Sequence, residues 1–175
     1  MQLTGKQIVE NHIITNVCEE GIQQQGVDVR VKKISVVGKH GHEENYGYIP
    51  AKGKTSAPKV TEIPPINMGD GREYWGLPVG YYEVEFEEGC AIPNHIAMYF
   101  KTRSSLVRCG AIIHSGQFDA GFETDKMGAF LHVINPIQIE VGARVAQVIV
   151  HESYPVDDDN MYNGQWQNDN QRGRE

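Results

Sequence analysis

The second half of the chain is a succession of short apolar segments that are separated by turn residues. In Ile137–Val141 apolar side chains alternate with polar ones, and this period of two is typical of a half-buried β-strand. Each segment has the length of a strand rather than that of a helix. Many short strands joined by turns predict a mostly β domain, either a barrel or a jelly roll. The predicted strands are Tyr81–Phe86, Ile96–Phe100, Phe130–Ile134, Ile137–Val141 and Val145–His151.

The N-terminal part of the chain adds one short helix and a further strand. Thr4 and Gln7 have the spacing of a capping box, so we expect a helix from Thr4 to about Asn16. Residues 27–31 alternate valine with charged residues, which again indicates a half-buried strand. Asp28 lies on this strand, where a carboxylate either fixes local structure through an ion pair or belongs to a functional site.

Residues 38–80 are rich in glycine and proline, which predicts loops and short strands. Four side chains of the kind that bind metals cluster there. A closed metal site needs a second group of ligands, which the sequence does not offer, so we predict no metal site built from protein ligands. The clustered side chains are those of His40, His42, Glu43 and Glu44.

Length and charge limit the classes of function. A chain of 175 residues is enough for one domain with a substantial core, and its net charge of −7 argues against nucleic-acid or membrane binding through a basic surface. No segment is apolar enough to span a bilayer, and no signal peptide precedes Leu3. The three cysteines are odd in number and widely spaced, as expected for a reduced, cytoplasmic protein.

The composition changes after Pro155, where the chain becomes polar and charged. On composition alone such a segment is a tail without a packed core. We therefore expect a single β domain over residues 1–155 and a C-terminal tail over residues 156–175.

The stretch Lys101–Phe122 carries the residues with the most specific chemistry. It begins with two arginines and two serines close together, and guanidinium groups with hydroxyls suit a polyphosphate. It ends with Gly116–Phe122, where Asp119 lies between two glycines beside an aromatic residue. Glycine lets the backbone approach a ligand closely, the ring can stack on a sugar or base, and the carboxylate can activate a water. Either half alone is typical of a solvated turn, but together they indicate nucleotide chemistry.

Ordered motifs within and beyond this stretch resemble those of the dUTPase and dCTP deaminase superfamily. These motifs are Arg103–Arg108, Phe118–Phe122 and Gly142–Ile149. Three further segments resemble dCTP deaminases in particular, namely Leu3–Ile8, Gly26–Arg30 and Tyr162–Gln165. The resemblance covers nearly the whole chain apart from residues 38–78.

The resemblance implies a fold, an assembly and roles for individual residues. The expected fold is a dUTPase-like distorted barrel of jelly-roll type with one short N-terminal helix. It is expected to assemble as a homotrimer with its sites between subunits, and the tail is expected to close over the nucleotide. Asp119 corresponds to the aspartate that activates water, while Mg²⁺ is carried by the triphosphate. The expected nucleotide- and phosphate-binding residues are Arg103, Ser104, Ser105, Arg108, Gln147, Tyr162 and Gln165. The expected base- and sugar-binding residues are Ser115, Gly116, Gln117, Phe118 and Phe122.

The choice between the two reactions of the superfamily depends on a few positions. Its dUTPases hydrolyse dUTP to dUMP and diphosphate, whereas its dCTP deaminases use a glutamate about ten residues after the shared aspartate. Counted back from Asn135, that position holds His132, and relative to dCTP deaminases the segment 123–128 contains inserted residues. A histidine does not replace a carboxylate beside cytosine N3, so we predict a dUTP diphosphatase.

Two alternatives remain open. One is a dCTP deaminase, alone or bifunctional with dUTPase activity. The other is a non-catalytic member that binds nucleotide or protein, since Ala143 stands where dUTPases carry an aspartate and their C-terminal glycine-rich loop is missing. His132 either belongs to the site or is an imidazole on an alternating strand that pairs with a neighbouring side chain. Zinc-dependent nucleobase deaminases and Walker-type nucleotide hydrolases are excluded, because the chain has neither Cys-x-x-Cys nor a Walker phosphate loop.

Overall fold

β-Strands make up most of the regular structure. The computed structural model describes residues 1–38, 47–49, 54–56, 60–164 and 167. The strands are β1 (Ile14–Thr15), β2 (Ile22–Gln23), β3 (Gly26–Val37), β4 (Gly47–Ile49), β5 (Lys54–Ser56), β6 (Val60–Glu62), β7 (Ile66–Asn67), β8 (Glu73–Leu77), β9 (Gly80–Phe86), β10 (Gly89–Ala91), β11 (Ile96–Thr102), β12 (Ala111–His114), β13 (Gln117–Phe118), β14 (Glu123–Thr124), β15 (Gly128–Val133), β16 (Ile137–Glu140) and β17 (Arg144–Glu152). The helices are α1 (Gly5–Glu10) and α2 (Ser104–Arg108), and Glu19–Gly21 and Asp158–Asn160 form 3₁₀ turns.

The main sheet is antiparallel and has the strand order β12-β15-β9-β3-β17-β11-β13, with β2 and β6 also paired to β3. Register shifts interrupt the pairing of β3 with β9 and of β17 with β3, and such bulges bend and twist a strand. The sheet therefore curls into a half-barrel. The predicted mostly β, barrel-like fold is confirmed.

Hydrogen bonds between the two ends of the curled sheet hold them together. The hydroxyl of Thr102, at the end of β11, accepts from Ile113 N at 2.9 Å and donates to Ile113 O at 3.1 Å. Phe100 N donates to Ser115 Oγ at 3.2 Å. These contacts bring β12 beside β11 and so set the β12–β13 turn over the seam of the half-barrel.

The core lies inside the curled sheet. Apolar side chains of β3, β9, β11, β15 and β17 are buried there and pack with Ile8 of α1 and with Trp75. The Trp75 indole satisfies its one donor by a 2.8 Å hydrogen bond to Ile63 O, as a buried tryptophan requires. Full burial of each large apolar side chain contributes about 1.5–3 kcal/mol.

Helix α1 begins as predicted but is shorter. Thr4 Oγ1 accepts from Gln7 N at 3.3 Å and Gln7 Oε1 accepts from Thr4 N at 2.9 Å, which completes the capping box. The helix ends at Glu10 instead of near Asn16, because His12 and Asn16 have left-handed φ values of 55° and 57° and turn the chain into β1. A second helix, α2, forms at the serine pair after β11. Neither helix of the described chain is long or apolar enough to cross a membrane.

The predicted strands are all present. The ends of the five strands from Tyr81 onward differ from the prediction by at most two residues, whereas β3 continues to Val37, six residues beyond the predicted 27–31. The half-buried pattern predicted for residues 27–31 is wrong at its start, because Val27, Asp28 and Val29 are all buried. The outer face of β3 is covered there by side chains that contact Asp28. The predicted His40–Glu44 cluster lies outside the described residues.

Candidate functional site

Two groups of predicted site residues lie in different places in the fold. The first, which we call the arginine cluster, consists of the predicted residues Asp28, Arg103 and Gln147 together with Arg144, which was not among the predicted site residues. The second, the Asp119 pocket, lies at the seam of the half-barrel. Each is built by strands that are distant in sequence.

Asp28 is the centre of the arginine cluster and is only 2% exposed. Its Oδ2 lies 3.2 Å from Arg103 Nε and 3.6 Å from Arg144 Nη1. Gln147 Nε2 donates to Asp28 Oδ1 at 3.4 Å. Burial raises the pKa of Asp28, and the two guanidinium groups and the Gln147 amide oppose this effect. Two cations around one carboxylate leave the cluster with an excess of positive charge, which suits an anion.

The same cluster retains hydrogen-bonding capacity. Within the described residues, Asp28 Oδ2 is buried and accepts no hydrogen bond, although both arginines lie beside it. Arg103 also donates from Nη1 to Arg144 O at 3.1 Å. A guanidinium has five N–H donors, so the contacts of Arg103 in this part of the chain leave donors for phosphate oxygens.

Helix α2 carries the remaining predicted phosphate ligands. Arg103 is its N-cap residue, Ser104 and Ser105 form its first turn, and Arg108 its last. The side chains of Ser104, Ser105 and Arg108 are exposed to solvent. Leu106 is buried and anchors the helix to the core. The sequence Arg-Ser-Ser-Leu-Val-Arg therefore presents its polar groups outward on one anchored turn.

The Asp119 pocket has a volume of about 340 Å³. It brings together Asp119, Tyr162 and all the predicted base- and sugar-binding residues. It also contains residues that the sequence did not single out as site residues. The lining residues are Glu83, His114, Ser115, Gly116, Gln117, Phe118, Asp119, Phe122, Gly128, Ala129, Phe130 and Tyr162.

Packed aromatic rings form one wall of the pocket. The centroids of Phe118 and Phe122 are 5.5 Å apart, and those of Phe122 and Tyr162 are 5.3 Å apart with the planes at 80°. Phe118 also packs edge-on against Phe100 of β11 at 5.2 Å. Edge-to-face packing of this kind fixes ring orientations and leaves an apolar surface suited to a sugar or base.

Asp119 sits on an exposed turn next to this wall. The turn is closed by Phe122 N, which donates to Asp119 O at 3.1 Å, and it is tied down by Gly121 N, which donates to Ile92 O at 2.8 Å. Gln117 Nε2 lies 3.4 Å from Asp119 Oδ1. The carboxylate is thus held at the pocket while remaining accessible to water, as a general base requires.

The C-terminal segment packs on the same turn. Tyr162 N donates to Ala120 O at 2.8 Å, and Gln167 Nε2 donates to Gly121 O at 2.8 Å. Gln167 Oε1 also accepts from Glu123 N at 3.3 Å. Gln167 is a contact that the sequence did not predict, whereas the predicted Gln165 lies outside the described residues.

His132 lies on the same face of β15 as Phe130 but does not line the pocket. Its ring stacks on Tyr81 with centroids 4.6 Å apart, and it lies 6.0 Å from the ring of His114. The neighbouring side chain predicted to pair with this imidazole is therefore Tyr81, which lies opposite His132 on the adjacent strand β9. A role for His132 in the site stays a prediction.

Strand pairing explains why the sequence did not reveal Glu83, His114 and Phe130 as site residues. Phe130 is directly opposite Glu83 on β9 and His114 on β12, so the three form one row across the sheet. Alternation along β9 predicts that Glu83 and Glu85 share a face, but it does not predict which strand pairs with β9. Predicting these site residues would have required the register of β15 with β9 and β12, which pair across long distances in the sequence.

The arginine cluster and the pocket are separated within one chain. None of the predicted phosphate ligands Arg103, Ser104, Ser105, Arg108 and Gln147 is among the residues that line the pocket. Gln117 pairs with Tyr99 of β11, whereas Arg103 follows the far end of that strand. Four residues of extended chain span about 13 Å, so one chain holds the two groups apart.

Protein ligands for a metal ion are not gathered at either group. Among the residues that the structure describes, no three His, Cys, Asp or Glu side chains converge as a metal cluster would require.

Comparison with known proteins finds a family model and curated relatives that match most of the chain. The family model described as dCTP deaminase-like matches residues 2–153. The chain is 31% identical over 166 residues to the probable deoxyuridine 5′-triphosphate nucleotidohydrolase of Methanosarcina mazei, which covers 93% of this chain and 88% of that protein. It is 36% identical over 138 residues to the deoxyuridine 5′-triphosphate nucleotidohydrolase of Methanocaldococcus jannaschii, covering 78% and 82% respectively.

A solved structure shows the same fold. The 2′-deoxycytidine 5′-triphosphate deaminase of Agrobacterium tumefaciens matches with a TM-score of 0.59 and 14% identity, over 87% of this chain and 48% of that one.

Proposed function

The chain belongs to the dCTP deaminase-like family, and on that premise we propose that it is a dUTP diphosphatase, which hydrolyses dUTP to dUMP and diphosphate. The observation that carries this proposal is the position of Asp119. Asp119 is exposed and lines a pocket of about 340 Å³ with an aromatic wall, in a chain whose relatives are named as deoxyuridine 5′-triphosphate nucleotidohydrolases.

In this proposal the residues of the Asp119 pocket hold the nucleoside and prepare the attacking water. The deoxyribose packs on Phe122, and the base lies along the backbone of Ser115–Phe118. Asp119 accepts a hydrogen bond from a water and orients it towards the α-phosphorus. It takes a proton as the P–O bond to that water forms and the bond to the diphosphate leaving group breaks.

The arginine cluster and helix α2 hold the triphosphate. Arg103 and Arg108 neutralise phosphate charge, while the hydroxyls of Ser104 and Ser105 and the amide of Gln147 donate to its oxygens. Asp28 orients Arg103 through the 3.2 Å contact. Mg²⁺ would supply further neutralisation on the triphosphate.

A homotrimer with shared sites would reconcile the two separated groups. If the arginine cluster of one subunit faces the Asp119 pocket of its neighbour, the triphosphate and the nucleoside of one dUTP are held together. Support comes from the fact that the phosphate ligands do not line the pocket of their own chain. The C-terminal segment, which already contacts the Asp119 turn through Tyr162, would then close over the bound nucleotide.

The cysteines support a reducing compartment for this activity. Cys18, Cys90 and Cys109 are all unpaired, and burial raises the pKa of Cys90 to about 12. We place the enzyme in the cytoplasm, where free thiols persist.

A product assay distinguishes this function from deamination and from binding without turnover. The protein is incubated with each deoxynucleoside triphosphate and Mg²⁺, and the products are separated by chromatography. We expect dUMP and diphosphate from dUTP, with loss of turnover when EDTA removes the metal. Conversion of dCTP to dUTP with ammonia release would instead indicate a deaminase, and unchanged triphosphates would indicate a non-catalytic member.

A further inference from the structure

The Asp119 pocket contains a second carboxylate, that of Glu83. Glu83 is on β9, and its neighbours Tyr82 and Val84 point into the core, so its own side chain points to the outer face of the sheet. The aromatic wall and Asp119 come from the other side of the seam. We call the outer face of β9 and β15, where the partly buried Glu83 lies, the floor of the pocket, and the exposed turn of Asp119 its rim.

The floor is organised by the row Glu83, Phe130 and His114. Directly opposite residues on antiparallel strands have Cβ atoms about 4.5–5.5 Å apart, so Glu83 and His114 lie about 10 Å apart on either side of Phe130. A flat ring that lies on Phe130 would thus meet a polar group at its edge.

The orientation of the nucleoside follows from Asp119. In the proposed function the Asp119 carboxylate at the rim reaches the α-phosphate through a water, which places the sugar near Phe122 and the base towards the floor. Buried polar edges of a base need partners, since an unpaired polar group costs much of its binding energy. Glu83 is the carboxylate that the pocket offers to that edge.

We propose that Glu83 determines the choice of base: its carboxylate accepts a hydrogen bond from N3–H of uracil and repels the N3 lone pair of cytosine. This inference rests on the proposed function. An ionised carboxylate only accepts hydrogen bonds. Uracil presents a donor at N3, whereas cytosine presents an acceptor there, so the same carboxylate favours dUTP and disfavours dCTP.

Two substitutions separate these effects. Glu83→Gln keeps the shape and offers an amide that either accepts from uracil N3–H or donates to cytosine N3. The ratio of kcat/KM for dUTP over dCTP should fall about 10-fold or more, with dUTP turnover retained. Glu83→Ala removes the acceptor, and kcat/KM for dUTP should fall about 10- to 100-fold, the size of one hydrogen bond to a charged group.

Glu85→Gln is the matched control. Glu85 lies on the same face of β9 two residues away, pairs with Gly128 and contacts Lys126 Nζ at 3.6 Å, but it does not line the pocket. Its substitution makes the same change of charge and should leave the dUTP/dCTP ratio unchanged.

A substrate analogue supplies the other half of a chemical double-mutant cycle. N3-methyl-dUTP lacks the proton that Glu83 is proposed to accept, so the native enzyme should discriminate against it. Glu83→Ala should lose that discrimination. A ratio that changes less than twofold in both Glu83 variants would overturn the proposal. So would ammonia release from dCTP that is abolished by Glu83→Gln, because Glu83 would then serve deamination.

Failure of the proposed function would be visible separately. If the native protein does not hydrolyse dUTP, the same three ligands are compared by calorimetric affinity. Loss of the preference for dUTP over dCTP and over N3-methyl-dUTP in the Glu83 variants alone would still support the inference, and an unchanged preference would refute it.

Discussion

Replacing Gly121 with alanine tests how closely the C-terminal segment is fitted to the Asp119 turn. Gly121 has a φ of +87°, a left-handed conformation that costs a residue with a Cβ about 1–2 kcal/mol. A Cβ at this position would lie 2.9 Å from both Cβ and Cε of Met161. The Cε can rotate away, but the Cβ moves only with its backbone.

That displacement strains the hydrogen bond from Tyr162 N to Ala120 O, which is 2.8 Å long. Losing the bond costs about 1 kcal/mol, and loosening the edge-to-face contact between Tyr162 and Phe122 costs about 0.5–1.5 kcal/mol. We therefore expect Gly121→Ala to lower the free energy of unfolding by about 2.5–4.5 kcal/mol. Because Tyr162 lines the pocket, KM for dUTP should also rise, by about 10-fold.

Gly69→Ala is the control for backbone strain. Gly69 has a nearly identical φ of +89°, but no atom lies within 4 Å of a Cβ built there. Its substitution should lower stability by about 1–2 kcal/mol and leave KM unchanged. Urea unfolding and initial-rate kinetics of the two variants give the comparison. Equal destabilisation with an unchanged KM in both would refute the fit between the C-terminal segment and the Asp119 turn.

Three further predictions follow from the site and the core. Asp119→Asn should lower turnover of dUTP by about 10² or more while calorimetric binding persists; undiminished turnover would remove Asp119 from the mechanism. Light scattering should give a trimeric mass, and inactive Asp119→Asn and Arg103→Ala proteins should regain activity when unfolded and refolded together, because mixed trimers contain intact shared sites; a monomer, or no regain, would contradict site sharing. Burial raises the pKa of Glu88 above its ordinary value of 4.5 despite the 2.7 Å contact with Arg30 Nε, so the folded state binds this proton more tightly than the unfolded state. The stability that Glu88 contributes is therefore present at low pH and is lost as pH rises above about 4.5, and the unfolding free energy of the native protein relative to Glu88→Gln should fall over that range, whereas a difference independent of pH would refute it.

Sequence patterns predicted most of the fold because the information was local. Several strands from Tyr81 onward, such as Ile137–Val141, alternate in polarity, and the capping box of Thr4 and Gln7 marks the start of α1. The end of α1 was not predictable from periodicity, since it depends on left-handed residues at His12 and Asn16. The short helix α2 follows an arginine rather than a capping side chain, which left no signal for its start.

The candidate site was predictable only where it is continuous in sequence. Residues 115–119 and Phe122 form one stretch, and the structure brings them to one pocket. Glu83 and Phe130 reach the same pocket because β9 pairs with β15, and that pairing depends on the whole sheet. Asp28 was assigned to either an ion pair or a site, and it forms ion pairs with two arginines of the proposed phosphate site.

The segment after Phe122 decides which residue of β15 reaches the pocket. Glu123 and Thr124 pair with β10, Thr124 Oγ1 bonds both N and O of Lys126, and Met127 is fully buried. The segment after Phe122 thus forms a short strand, a hydrogen-bonded turn and a buried Met127 before β15 begins at Gly128.

Counting back from Asn135 and counting forward from Asp119 therefore lead to two different residues of β15. Counting back from Asn135 reaches His132, which stacks on Tyr81 beyond the pocket. Counting ten residues forward from Asp119 reaches Ala129. The residues of β15 that line the pocket are residues 128–130. In the proposed orientation of the nucleoside, the base edge would meet the apolar Phe130 on β15 and the carboxylate of Glu83 on the neighbouring strand β9, both of which line the pocket. A pocket without a carboxylate on β15 is better suited to hold a uracil nucleotide for hydrolysis at its phosphates than to deaminate cytosine.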